Sequence, residues 1–167
     1  TVYHKGLNNG TNPQNYGLHL NTSEADIDDY GYFADTAPNA KSFQVGYDAT
    51  TGSSGESYLA LLFASVSGIS SVGSYSGNNS SSGPTVTTGF SPRFILIKRS
   101  TGVDNWFVFD TLRGISNSGN DARLKLDESG GQTTNGEWLS ISSTGFTLKT
   151  SDGGVNANSS YIYYAHA

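Results

Sequence analysis

Asp104-Asn105-Trp106 places a carboxylate, an amide and a large aromatic ring on consecutive residues. That set suits a sugar, because the ring can stack on a pyranose while the polar groups take its hydroxyls. Tyr75, Asn78 and Asn79 repeat the combination within a Gly/Ser/Asn-rich stretch. These six residues are the candidate ligand contacts. The second tryptophan, Trp138, reads as a core anchor. Trp106 could serve the same structural end, but its polar neighbours make it the better ligand candidate.

Carboxylates cluster twice: Asp26, Asp28 and Asp29 with Glu24 nearby, and Asp121, Asp127 and Glu128. Calcium needs about six to eight converging oxygens. Neither cluster has EF-hand spacing or a central glycine. A solvated acidic loop is therefore the leading reading, and Asp26, Asp28 and Asp29 stand only as weak metal candidates. His4, His19 and His166 are isolated in the sequence. His4 and His19 lie on expected strands and could meet, but two ligands do not make a zinc site. Asp104, Asp110, Asp121, Asp127 and Glu128 offer carboxyl groups for glycan cleavage, which needs a pair ~5–9 Å apart. Nothing in their spacing fixes such a pair, and the Gly-x-Ser-x-Gly nucleophile elbow is absent. Neither enzymatic activity nor a cofactor is expected.

Composition narrows the partners. Only 14% of the 167 residues are charged, against roughly 25% in an average soluble domain. With 9 Lys+Arg, 14 Asp+Glu and a net charge of -5, the chain lacks the basic patch that phosphate neutralisation requires, so no nucleic-acid partner is expected. The absence of cysteine excludes a disulfide framework and thiolate metal sites. No apolar run approaches the ~20 residues of a membrane-spanning helix, so no membrane insertion is expected. Polarity carried by Ser, Thr, Asn and Gly suits turns and extended strands.

The elements that must position these side chains read as strands. Short apolar or alternating segments occur at 2–3, 18–20, 30–33, 43–45 and 58–64, separated by Asn/Gly/Pro/Ser turn clusters. The second part continues at 72–75, 85–88, 94–97, 106–109, 124–126, 138–141, 146–148 and 161–165. The chain thus predicts an all-β fold of antiparallel β-sandwich or jelly-roll-like modules.

Self-comparison sharpens the organisation. At an offset of 106, Val2-Tyr3 falls on Val108-Phe109, Leu18-His19-Leu20 on Leu124-Lys125-Leu126, and Tyr32-Phe33 on Trp138-Leu139. At 103, after a loop deletion, Phe43-Gln44-Val45 falls on Phe146-Thr147-Leu148 and Ser57-Tyr58-Leu59 on Ser160-Tyr161-Ile162. Residues 67–167 therefore read as one complete β-sandwich module. Residues 1–66 read as the C-terminal part of another, incomplete alone, with the boundary at 65–71. The part without a counterpart is 72–99. Its strands are expected from an upstream segment or as strands added by a neighbouring chain.

Gly89-Phe90-Ser91-Pro92-Arg93-Phe94-Ile95-Leu96-Ile97-Lys98-Arg99 resembles a strand motif of repeated modules in virion surface proteins of bacteriophages, particularly marine phages. Gly73-Ser74-Tyr75-Ser76-Gly77-Asn78, Gly83-Pro84, Trp106-Phe107-Val108-Phe109-Asp110-Thr111-Leu112-Arg113, Gly145-Phe146-Thr147-Leu148 and the closing Tyr161-Ile162-Tyr163-Tyr164-Ala165 fit the same pattern. The first part matches through Tyr16 to Thr22 and Tyr58-Leu59-Ala60.

The resemblance implies a lectin-like sandwich module in a tail fibre or spike. It implies an extracellular, virion-surface location and no catalytic motif. The expected role is recognition of a host-surface glycan through loops 76–83, 100–105 and 115–120. Other copies of the chain, with a homotrimer fitting fibre architecture, or other virion proteins are the expected protein partners. A structural virion component with no ligand, such as a head decoration or fibre spacer, is the alternative. A cellular adhesin or extracellular filament subunit is a weaker one.

Overall fold

The computed structural model describes residues 1–115 and 117–167. Ser116, within the expected loop 115–120, lies outside the described residues. In chain order the elements are β1 (Tyr16–Gly17), β2 (Ile27–Asp28), the helical turn α1 (Tyr30–Phe33), β3 (Ser70–Ser76), β4 (Thr85–Thr87), β5 (Phe94–Arg99) and β6 (Trp106–Asp110). They continue with β7 (Ala122–Lys125), β8 (Thr133–Thr134), β9 (Leu139–Ser142), β10 (Gly145–Leu148), the turn α2 (Gly153–Asn156) and β11 (Ser160–His166). The fold is all-β, and every sheet pairing is antiparallel.

Six strands form one sheet in the order β3-β11-β5-β6-β7-β8, and three form another in the order β4-β10-β9. Period-2 alternation decides which side chains meet between them. Ile95, Ile97, Phe107, Phe109, Tyr161 and Tyr163 point from the large sheet toward Val86, Leu139, Phe146 and Leu148, in one buried core. Aromatic and β-branched residues dominate these strands, which is what a pleated surface buried on both faces selects.

The opposite face of the large sheet is covered in part by the first segment of the chain. Leu7 and Leu18 pack there against Trp106 and Ile162. Two backbone hydrogen bonds stitch the contact, Asp26 N–H to Ser100 O at 2.8 Å and Asp104 N–H to Ser23 O at 2.8 Å. Lys98, fully buried, donates its ammonium to Ser23 O at 3.3 Å and Arg99 O at 2.7 Å. Burial pulls the Lys98 pKa down to about 8, while Asp104, Asp127 and Asp26 resist that shift.

The offset seen in the sequence recurs in the backbone pairing. Val2 bridges Leu18, and Val108 pairs with Leu124. Tyr16 and Gly17 pair with Asp28 and Ile27, and Ala122 and Arg123 pair with Thr134 and Thr133. Each pair is displaced by 106 residues from its counterpart. Across the loop deletion, Gly46 N–H donates to Tyr32 O at 2.8 Å, and Lys149 N–H donates to Trp138 O at 2.9 Å.

Three expected strands take other forms. Tyr30–Phe33 is a helical turn, because the Asp29 carboxylate accepts the Gly31 N–H at 2.7 Å and caps it. Ala34, left-handed at φ 50°, ends the turn. Residues 43–45 and 58–64 carry no strand pairing. Within the described residues, residues 58–64 have no strand beside them, and an isolated strand has nothing to satisfy its backbone.

His4 is buried and its Nδ1 accepts the Gly6 N–H at 2.9 Å. A protonated ring cannot accept that bond. Burial, with the Lys5 charge beside it, lowers the His4 pKa from 6.5 to about 4. Between those values the unfolded chain binds a proton that the folded chain refuses, so this residue makes stability fall as pH falls from 6.5 to 4. The expected result is a wild-type stability that drops by about 2 kcal/mol relative to His4→Gln between pH 7 and pH 4.5. Urea unfolding of both proteins at the two pH values measures it.

Candidate functional site

Strand register brings loops together at one end of the large sheet. Lys98 lies opposite Trp106, Phe107 opposite Lys125, Tyr161 opposite Arg99 and Ser160 opposite Ser76. Residues 76–83, 100–105 and 126–132 therefore leave the sheet at the same end. The pairs Phe94–Asp110 and Phe109–Arg123 put Ile115 and residues 117–120 at the other end. Two of the three expected recognition loops, 76–83 and 100–105, thus share an end of the sheet with the β7–β8 turn.

The turn after β7 is tied to the strand start of β6. Asp127 accepts the Trp106 N–H at 3.0 Å and the Asn105 side-chain amide at 3.1 Å. The same amide donates to Glu128 at 2.9 Å, and Lys125 donates to both Glu128 oxygens at 2.9 and 3.1 Å. The hydrogen bonds from Lys125 and Asn105 hold the Glu128 carboxyl below its ordinary pKa. Beside them a hollow of about 290 Å³ is lined by Arg123, Lys125, Glu128, Gly130, Gly131 and Thr133. The Arg123 guanidinium lies 3.7 Å from the centre of the Trp138 ring, 5.1 Å from that of Phe107, and donates to Thr133 Oγ1 at 3.2 Å. Fixed donors and acceptors of both charges around a small polar hollow can take the hydroxyls of a saccharide.

Of the six residues read as ligand contacts, Asp104 and Asn105 border this cluster. Asp104 accepts the Asn105 N–H at 2.9 Å. Trp106 is the main correction. Its ring is 3% exposed, packed against Leu7 and Leu18, and its indole N–H donates to His19 O at 2.9 Å. It is an anchor between segments, and no ring can stack on it. Tyr75 is also committed internally: it stacks on Tyr161 with ring centres 5.0 Å apart and donates to Val155 O at 2.7 Å. Burial raises its pKa well above 10. Asn78 is exposed although its Oδ1 accepts from the Asn156 side chain at 3.0 Å, and Asn79, at φ 53°, is exposed beside it.

Asn156 ties this loop down from below. Fully buried, it accepts the Asn78 N–H at 2.9 Å and donates to Asn78 Oδ1, Ser80 O and Thr150 O at 3.0, 2.8 and 2.8 Å. Replacement Asn156→Ala is expected to cost about 2–3 kcal/mol and to speed amide exchange at Asn78. Urea unfolding and hydrogen exchange read the two effects.

The weak metal candidates do not converge. Asp26 accepts the Asn8 N–H at 2.6 Å, Asp29 caps α1, and Asp28 sits on β2. Among the described residues no group of three or more His, Asp or Glu could hold a metal ion.

Sequence reasoning named Asp127 and Glu128 in a carboxylate cluster and among carboxyl groups for glycan cleavage, and did not single out Arg123, Lys125 or Asn156. Alternation places Arg123 on the core-facing side of β7, which is the one signal that could have marked it. Over residues 1–167 the chain matches a family described as a domain of unknown function, DUF7483. The chain belongs to the DUF7483 family. No curated protein and no solved structure matches it. In this DUF7483 chain the candidate site lies at the Asn105–Glu128 end of the large sheet.

Proposed function

We propose that this DUF7483 chain is a non-enzymatic surface module of a phage virion, part of a tail fibre, spike or comparable appendage. It uses the polar end of its large sheet to bind a host-surface glycan. The observation carrying this reading is the hollow bordered by Arg123, Lys125 and Glu128 and braced by Asn105. The recurring pairing at an offset of 106 residues supports a tandem, appendage-type β-sandwich architecture assembled with other copies or other virion proteins. So do the charge-poor surface and the strand motifs that resemble phage modules.

Charge-assisted hydrogen bonds contribute about 1.5–3 kcal/mol each when buried by a ligand. The double replacement Asn105→Ala with Glu128→Ala is therefore expected to weaken glycan binding by roughly 10–100-fold, on a glycan array and in host-cell adsorption. A blank array for the unaltered chain, with adsorption untouched by the replacement, contradicts the reading.

The burial of Trp106 favours one second reading, a ligand-free head decoration or fibre spacer, because it removes the stacking platform. Antibody labelling of intact particles discriminates: a fibre tip supports recognition, and a capsid or shaft position supports the spacer.

A further inference from the structure

We propose that residues 59–63 are a self-association surface, pairing antiparallel with the same residues of a second copy of this chain about a twofold axis. The proposal names a contact between copies and does not depend on glycan binding.

The backbone of this segment is unpartnered. Among the described residues, no backbone–backbone hydrogen bond uses the N–H or C=O of Leu59, Ala60, Leu61, Leu62 or Phe63. Their side chains are as bare: Leu59, Leu61, Leu62 and Phe63 are 87, 70, 79 and 62% exposed. Unpaired backbone and apolar side chains together make a template for strand pairing. The segment is also pinned at both ends. The Tyr58 hydroxyl donates to Ala49 O at 2.9 Å and accepts the Ser53 N–H at 2.9 Å. Ala64 O accepts the Ser70 hydroxyl at 2.7 Å, and Val66 and Ser70 exchange two backbone hydrogen bonds of 2.9 Å. A segment held in place loses less freedom when it pairs.

Charge, size and area point to a second copy as the occupant. Residues 57–92 contain no charged side chain. A surface that meets its own image across a twofold axis sets like against like, so a charged one would repel itself. Antiparallel pairing centred on Leu61 sets Leu59 opposite the partner's Phe63 and Ala60 opposite the partner's Leu62. Large apolar side chains then meet on one face, and a small one meets a large one on the other. Phe43, Val45 and Tyr58 line one groove with the segment and are themselves exposed. Together these side chains offer roughly 800 Å², which is what each partner contributes to a stable dimer.

Sedimentation of the full chain at about 1–100 µM tests the association, since an interface of this size gives a Kd of about 1 µM or tighter. A closed species of twice the chain mass is expected. A monomer throughout, a trimer or an open-ended polymer overturns the proposal. Leu61→Asp sets two carboxylates face to face on the axis and is expected to weaken the dimer by about 100-fold or more. Leu112→Asp, at a comparably exposed leucine outside the segment, is expected to leave the dimer unchanged. Amide exchange across β11 is expected to be the same in both variants as in the unaltered chain. A dimer untouched by Leu61→Asp overturns the proposal. Leu59→Lys and Phe63→Asp test the register. Each alone is expected to be monomeric, and an equal mixture is expected to recover the dimer, because the introduced lysine then faces the introduced carboxylate. A mixture that stays monomeric overturns the antiparallel register.

Discussion

Replacing Trp106 with alanine lowers the unfolding free energy by about 3–5 kcal/mol, the usual cost of deleting a buried indole. The expected damage is not confined to β6. The ring is the largest side chain between the first segment and the outer face of the large sheet, where it meets Leu7, Leu18 and Ile162. Its N–H reaches His19 O at 2.9 Å, next to the Val2–Leu18 bridge. Removing it leaves a cavity lined by Leu7 and Leu18 and frees that carbonyl. The hydrogen-bonded pairs of the first segment should then exchange quickly while β5 and β11 stay protected. Trp106→Phe keeps most of the packing and loses the hydrogen bond, so a smaller loss of about 1–2 kcal/mol is expected. Urea unfolding of the three proteins with amide exchange measures both parts. A tryptophan presented to a sugar would behave oppositely, with little effect on stability and a large one on binding.

Asp121→Ala gives the second large effect, a loss of about 2–5 kcal/mol. Asp121 is fully buried. One of its oxygens accepts the backbone N–H of Trp138 at 2.6 Å and that of Leu139 at 3.0 Å. These donors enter β9, where the ladder to β10 begins at Leu139. Truncation leaves two buried N–H groups without an acceptor, at about 1–3 kcal/mol each. It also shifts Trp138 away from the Arg123 guanidinium, loosening the wall of the polar hollow. Asp121→Asn retains an acceptor oxygen and is expected to cost less than half as much. Chemical denaturation ranks the three, and the Trp138 indole resonance reports the displacement.

Much of the second part of the chain was legible because its strands obey alternation. Ile95 and Ile97, Phe107 and Phe109, and Tyr161 and Tyr163 announce their shared face by spacing alone. The internal offset was legible for the same reason, since pairs such as Leu18 and Leu124 keep both residue type and register.

What escaped the sequence depends on contacts between distant segments. Trp106 beside Asp104 and Asn105 looks solvent-facing, and only the docking of Leu7 and Leu18 reveals it as covered. The burial of Lys98 depends on Ser23, which lies far from it in the chain. Asn156 lies in an Asn/Gly/Ser stretch where nothing local separates a buried clamp from a loop residue. The polar hollow likewise joins side chains from β7, the turn after it and β8 with Asn105 from another loop.

The central claim is that the pairs Val2–Leu18, Tyr16–Asp28 and Gly46–Tyr32 repeat the backbone pairing of Val108–Leu124, Ala122–Thr134 and Lys149–Trp138. Residue-resolved amide exchange on the full chain tests it most directly. The Val2, Leu18 and Gly46 amides, which donate to Leu18 O, Val2 O and Tyr32 O, are predicted to be protected alongside those of β6, β7 and Lys149. Exchange of these three at unfolded-chain rates, with β5, β6 and β11 still protected, would contradict it.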